Sequence, residues 1–181
     1  MILVNLFGAP GAGKSTGAAY VFSKLKMAGV NAELVTEFAK DKVWEESKAV
    51  FDNQAYIFGK QYFRISRCYD KVDVIVTDSP LLLSILYNHD IVLGETFNAL
   101  VRRVFGSFNN LNFLLTRVKG YNPAGRFQTE QESDILALQL EGLLKQERVE
   151  YLNVPGSIEG YDQIVEDIIN EINYQKENNI F

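Results

Sequence analysis

Cysteine and histidine are nearly missing from this chain. Cys68 and His89 are the single representatives of each. An internal disulfide is therefore excluded, and so is any Cys- or His-cluster metal site. A lone thiol suits a reducing, cytoplasmic setting. Long apolar runs are missing too: none approaches the ~20 residues needed to cross a bilayer, so no membrane partner is expected. There is no basic excess. A net charge of -5 over 181 residues excludes the overall basic character of a general nucleic-acid binder, although a local basic groove survives that test. Prolines number only four, and no linker, repeat or low-complexity tract interrupts the chain. Residues 1–181 therefore read as a single domain. The opening run "MILVNLF" has no basic stretch before it and leads straight into glycines, so it reads as a strand rather than a secretory leader. Apolar residues at 47% and charged residues at 23% complete an ordinary globular balance.

What is present is alternation. Apolar strand-like runs at 2–7, 32–36, 72–77, 112–116 and 151–154 are separated by stretches of helical spacing at 15–27, 52–69, 96–105, 130–148 and 161–174. Gly29 reads as a helix stop and Asp52 as a helix cap. Strands separated by helices pair in parallel through right-handed crossovers. The pattern implies a three-layer α/β fold around a roughly five-stranded parallel sheet, with its ligands at the carboxyl ends of the strands. The last eight residues, "YQKENNIF", read as a loosely held tail.

The residues past the first strand are "GAPGAGKST". They satisfy Gly-x-x-x-x-Gly-Lys-Ser in the context that pattern requires, a strand before and a helix after. Gly8, Gly11 and Gly13 allow the backbone to curl so that the N–H groups around Ala12 face one point, at a helix N-terminus that favours anions. Lys14 would bridge the β- and γ-phosphates of a nucleoside triphosphate, with ATP the expected one. The Ser15 hydroxyl would ligate Mg²⁺, and Thr16 would support the α-phosphate. The alternative is a glycine-rich turn that binds nothing.

Other strand ends add candidates. Asp78 follows the third run and is a carboxylate for Mg²⁺, or else a cap for the turn at Ser79-Pro80. Glu37 follows the second run, where it would accept a proton from an attacking hydroxyl or position it; the alternative is a surface charge opening a helix. Asp41 is one turn further on. The segment 117–129 is rich in Gly and Pro and carries Arg117, Lys119 and Arg126. It reads as a lid whose arginines neutralise transferring phosphates, or as a solvated basic loop. Within "NQAYIFGKQYFRISRCYDK", Gln54, Gln61, Arg64 and Arg67 punctuate an aromatic-rich helix. An amide there would read a base edge, while the aromatics would pack a core or stack on the base. Trp44 would wall the same cleft or the core.

The order of "FGAPGAGKST", "VTEFAKD", "NQAYIFGKQYFR", "VIVTDSP" and the arginine-bearing loop resembles small P-loop kinases. The resemblance is to ribosylnicotinamide-kinase-like domains and to virus-encoded nucleotide or thymidylate kinases, with a layout similar to deoxynucleoside kinases. It implies a P-loop NTPase fold and transfer of the γ-phosphoryl of ATP, with Mg²⁺, to a hydroxyl or phosphate of a nucleoside or nucleotide. In that role Glu37 would act on the acceptor hydroxyl and Gln61 or Gln54 would read the base. A related virus-encoded group acts on 5-hydroxymethyluracil in DNA, so hydroxymethylated DNA is an alternative acceptor, reached through Arg64, Arg67, Lys71, Arg102 and Arg103. The host cytoplasm would be the location of a virus-encoded chain, and the relatives lead one to expect a homodimer. The chain departs from deoxynucleoside kinases after strand three, where Asp78-Ser79-Pro80 replaces Glu-Arg-Ser, and it lacks the Asp-Arg pair of thymidylate kinases. A reading from another class is a nucleotide-dependent switch or mechanical ATPase.

Overall fold

The computed structural model describes residues 1–44, 50, 53–122 and 129–178, with the side chains of 42–44 outside that description. In chain order the elements are β1 (Ile2–Phe7), α1 (Lys14–Met27), β2 (Ala32–Val35), α2 (Phe38–Trp44) and α3 (Gln54–Ser66). There follow β3 (Val74–Thr77), α4 (Leu83–Leu86), α5 (Gly94–Phe105), β4 (Asn109–Thr116), α6 (Glu130–Gln146), β5 (Leu152–Pro155) and α7 (Ile158–Glu177). The strands form one parallel sheet in the order β2-β3-β1-β4-β5.

Parallel strands covered on both faces must be apolar on both faces, and all six residues of β1 are buried. Ile2, Val4 and Leu6 pack with α1 and α7 through Val21, Leu25, Ile164 and Ile168. Leu3 and Phe7 pack on the opposite face with Phe58, Phe97, Val101, Leu140 and Leu144, from α3, α5 and α6. Asn5 is the polar exception in β1: its amide donates to Asn110 Oδ1 at 2.9 Å and Asn112 Oδ1 at 3.0 Å, tying β1 to β4. Register brings Thr77 opposite both Asn5 and Val35, so the carboxyl ends of β1, β2 and β3 open on the same side.

The anticipated alternation is there, with differences at element ends. α2 and the single-turn α4 are too short for helical periodicity to repeat in sequence. β4 starts at Asn109, earlier than its apolar run, because asparagines occupy its first half. α3 is capped by Asn53, whose side chain accepts the Tyr56 N–H at 2.9 Å; Asp52 lies outside the described residues. The tail reading is corrected over 174–177. α7 continues to Glu177, and Gln175 is buried there and donates to Glu171. Among the described residues no helix is long and apolar enough to cross a membrane.

Candidate active site

The loop between β1 and α1 is shaped by three left-handed glycines. Gly11 and Gly13 hold φ of 85° and 93°, where a side chain is strained, and Gly8 holds 153°. Gly13 precedes the first residue of α1, so Lys14, Ser15 and Thr16 form that helix's first turn, and Ser15 and Thr16 are exposed. Ala12 is buried. The Lys14 ammonium donates to the carbonyls of Gly8 at 2.7 Å and Ala9 at 3.3 Å.

Beside the loop stands Asp78, one residue past β3 and only 3% exposed. The turn at Ser79 is capped by Thr77, whose hydroxyl accepts the Ser79 N–H at 3.1 Å. Asp78 is therefore released from the capping role and instead accepts the backbone N–H of Glu37 on Oδ1 at 2.9 Å. That bond crosses from β3 to the end of β2 and holds two acidic residues at one point of the cleft. Oδ2 of Asp78 accepts no hydrogen bond among the described residues. Magnesium is commonly held by one or two carboxylates, with water and phosphate oxygens completing the shell. An exposed Ser15 hydroxyl and an unused Asp78 oxygen near the same loop fit that ion. No group of three or more His, Cys, Asp or Glu side chains exists among the described residues to hold a metal without phosphate.

Glu37 does open a helix, α2, but not as a surface charge. It is half-buried, and its carboxyl is raised above the ordinary carboxylate value, chiefly by burial. Lys14 opposes that rise and the charge of Asp78 adds to it, so all three groups feel one another across the cleft. Tyr87, at the end of α4, completes this wall. Its phenol is pushed up to about 12, first by burial and then by the charge of Glu37. Nothing in the sequence singles out Tyr87, because the turn that brings it back toward β2 is a single helical turn.

Gln61 and Arg64 are engaged by the protein's own groups. Gln61 is 3% exposed; its Oε1 accepts the Phe38 N–H at 3.0 Å and its Nε2 donates to the Thr77 hydroxyl at 3.4 Å. It thus joins α3 to the start of α2 and the end of β3. Arg64 donates to Asp41 at 2.6 Å and to the Thr36 carbonyl at 3.2 Å, and lies over the Phe38 ring. Gln54, 9% exposed, is the first residue of α3. Trp44 ends α2, and its side chain is outside the described residues.

Arg117 follows β4. It donates to Asp134 at 2.6 Å and lies 3.4 Å from Glu130, both on α6, while its buried Nη1 has no hydrogen-bond partner among the described residues. Its guanidinium stacks 5.5 Å from Tyr121, whose ring packs against Gly11 of the loop. The root of the expected lid thus lies on the phosphate loop. Arg126 lies outside the described residues, and Lys119 is exposed. Of the residues proposed to form a basic groove, Arg102 is held bidentately by Glu147 at 2.8 and 2.9 Å and by Glu95, and Arg64 is neutralised by Asp41. His89 is an exposed loop residue, and the Cys68 thiol donates to the Arg64 carbonyl.

A glycine loop at a helix start, with a lysine and an acidic strand end beside it on a parallel sheet, defines a P-loop nucleotide-binding protein. A family model described as an AAA domain matches residues 3–160, and the chain belongs to that family. Its fold is that of P-loop kinases. It superposes on deoxyadenosine kinase from M. mycoides with bound dATP at a TM-score of 0.60, 21% identical, over 94% of this chain and 99% of that one. The same enzyme with products dCMP and a flexible dCDP gives a TM-score of 0.58, again 21% identical, over 95% and 99%. No curated protein matches. Neither comparison bears on a viral source or on DNA modification.

Proposed function

We propose that the chain is an ATP-dependent phosphotransferase that moves the γ-phosphoryl, with Mg²⁺, to a hydroxyl of a nucleoside-type acceptor. The observation that carries this reading is the placement of Glu37, half-buried across the cleft from Lys14 and tied through its own N–H to Asp78. A carboxylate so placed activates a substrate hydroxyl or a water alike, so stimulation of turnover by an added acceptor is what separates a kinase from a hydrolase. A hydroxyl fits better than a phosphate acceptor, because the described acceptor wall is acidic and its nearest arginine, Arg64, is already paired with Asp41.

In this reading the loop N–H groups and Lys14 take the polyphosphate and neutralise its charge. Bound through Ser15 and Asp78, the metal would add positive charge at the phosphate oxygens. Glu37 orients the acceptor hydroxyl and receives its proton as the new P–O bond forms and the bond from the γ-phosphorus to the β–γ bridging oxygen breaks, releasing ADP. Arg117, held beside the loop by Asp134 and Glu130, and Arg126 would add positive charge near the transferring group. Gln54 is the candidate for contact with the acceptor's base, whereas Gln61 and Arg64 build the wall behind it.

The test is ATP-dependent phosphorylation screened across nucleosides, nucleotides and hydroxymethylated DNA, for wild type and Glu37→Gln. Transfer to a nucleoside should fall about 10²–10⁴-fold in the variant while nucleotide affinity stays within a few-fold. Full turnover by Glu37→Gln removes the assigned role. Transfer to DNA alone moves the acceptor there, and hydrolysis unstimulated by any acceptor moves the protein to the ATPase class.

A further inference from the structure

The carbonyls of the phosphate loop are anchored from behind. Lys14 holds those of Gly8 and Ala9. Ser133 Oγ donates to the Pro10 carbonyl at 2.7 Å, and the Tyr161 hydroxyl donates to that of Gly13 at 3.0 Å. Gly156 lies so close under the Ala12 carbonyl that a Cβ there would overlap it. Apart from the Ala12 N–H, which donates to the Ala9 carbonyl at 3.1 Å, turning carbonyls inward leaves the loop's N–H groups to point outward, the arrangement that makes an anion nest.

The anchors are unequal. An ammonium has three donors, and Lys14 spends two on the loop itself. Gripping a polyphosphate draws the ammonium off those carbonyls. Ser133 and Tyr161 have no such alternative. Ser133 is 1% exposed and Tyr161 4%. Room for the Tyr161 ring exists only because the loop and α1 lack side chains there: a Cβ on Gly17 would lie 2.6 Å from its Cε1, and one on Gly13 would overlap its hydroxyl. Ser133 is also followed directly by Asp134, which grips Arg117. One turn of α6 therefore fixes both the apex of the loop and the root of the lid.

We propose that Ser133 and Tyr161 are positioning residues for phosphate binding: they keep the loop's N–H groups aimed into the cleft while Lys14 transfers from the loop carbonyls to the ligand. Neither residue touches a reacting atom. The inference rests on the phosphate-binding part of the function proposed above, but not on the identity of the acceptor.

The experiment is calorimetric titration with magnesium pyrophosphate, a probe that contacts the loop without needing an acceptor. Ser133→Ala and Tyr161→Phe should each weaken binding about 3- to 10-fold, the scale of one hydrogen bond. Melting should fall by no more than about 4 °C. Ser133→Thr, which keeps the hydroxyl, should restore affinity. Tyr20→Phe removes a hydroxyl bonded to Asp162 at 2.7 Å but keeps the ring that packs on Tyr161, 5.8 Å away, and should leave affinity unchanged. Wild-type affinity in both deletion variants overturns the proposal, as does an equal loss in Tyr20→Phe. If Ser133→Ala does not fold, Tyr161→Phe decides. No binding by the wild type overturns the phosphate-loop reading itself, an outcome distinct from unaltered variants.

Discussion

Gln61 illustrates what a single side chain does in this molecule. Its carbonyl end satisfies the Phe38 N–H and its amino end reaches Thr77, so one buried amide links the starts of the loops that carry Glu37 and Asp78. A buried N–H deprived of its acceptor costs about 1–3 kcal/mol. Gln61→Leu should therefore lower stability by that amount in urea unfolding with the slope unchanged; a loss under 0.5 kcal/mol, on the same scale, would show that the Phe38 N–H finds another partner. Residue type and helical position were readable for Gln61, but its partners were not. The amide that looks ready to read a base is occupied by backbone and hydroxyl groups brought from residues 38 and 77. Arg64 is the same case, its charge spent on Asp41.

At the scale of elements, α6 is the helix with the most explicit start. Thr129 and Glu132 form a capping box: the Glu132 carboxylate accepts the Thr129 N–H at 2.6 Å, and the Thr129 hydroxyl accepts the Glu132 N–H at 3.2 Å. These bonds favour the ionised carboxylate and hold it below its ordinary value of 4.5. A lowered carboxyl contributes stability that is fully present above its unfolded value and is lost as pH falls through the folded one. Unfolding followed from pH 6 downward should therefore show α6 weakening only once pH passes below about 4.5, and Thr129→Ala should flatten that dependence. At neutral pH the same variant should cost about 1 kcal/mol. Because Ser133 and Asp134 sit in the next turn, it should also loosen pyrophosphate binding; an unaltered affinity would separate the cap from the loop. The helical spacing over 130–148 did place this helix and its first residue, whereas the Thr129–Glu132 box emerged only with the structure. Such spacing could not place α2 or α4, which exist because tertiary packing holds them.

The whole molecule behaves as a frame that brings strand ends together. Two apolar layers clamp one sheet, and the phosphate loop, Glu37, Asp78 and Arg117 all follow the carboxyl ends of its strands. A ligand that binds only the folded state adds about 2.7 kcal/mol of stability at 100 times its Kd. For a chain of this size, magnesium ATP should then raise the melting temperature by about 5–10 °C. Lys14→Ala should abolish that rise, since it removes the one cation built into the loop; a shift that survives the substitution would place the nucleotide elsewhere.

The sequence alone determined the sheet class, the helix that receives the loop, and the loop itself. Those depend on near neighbours: a repeating apolar pattern, glycines where φ must be positive, a lysine and serine at fixed spacing. The tertiary structure decided which side chains face the loop and which support it. Asp78 met the Glu37 backbone 41 residues away, and Tyr161 met Gly13 from 148 residues away. Contacts of that span leave no local pattern, because they are set by how the crossovers stack the helices on the sheet and not by the order of residues on either side.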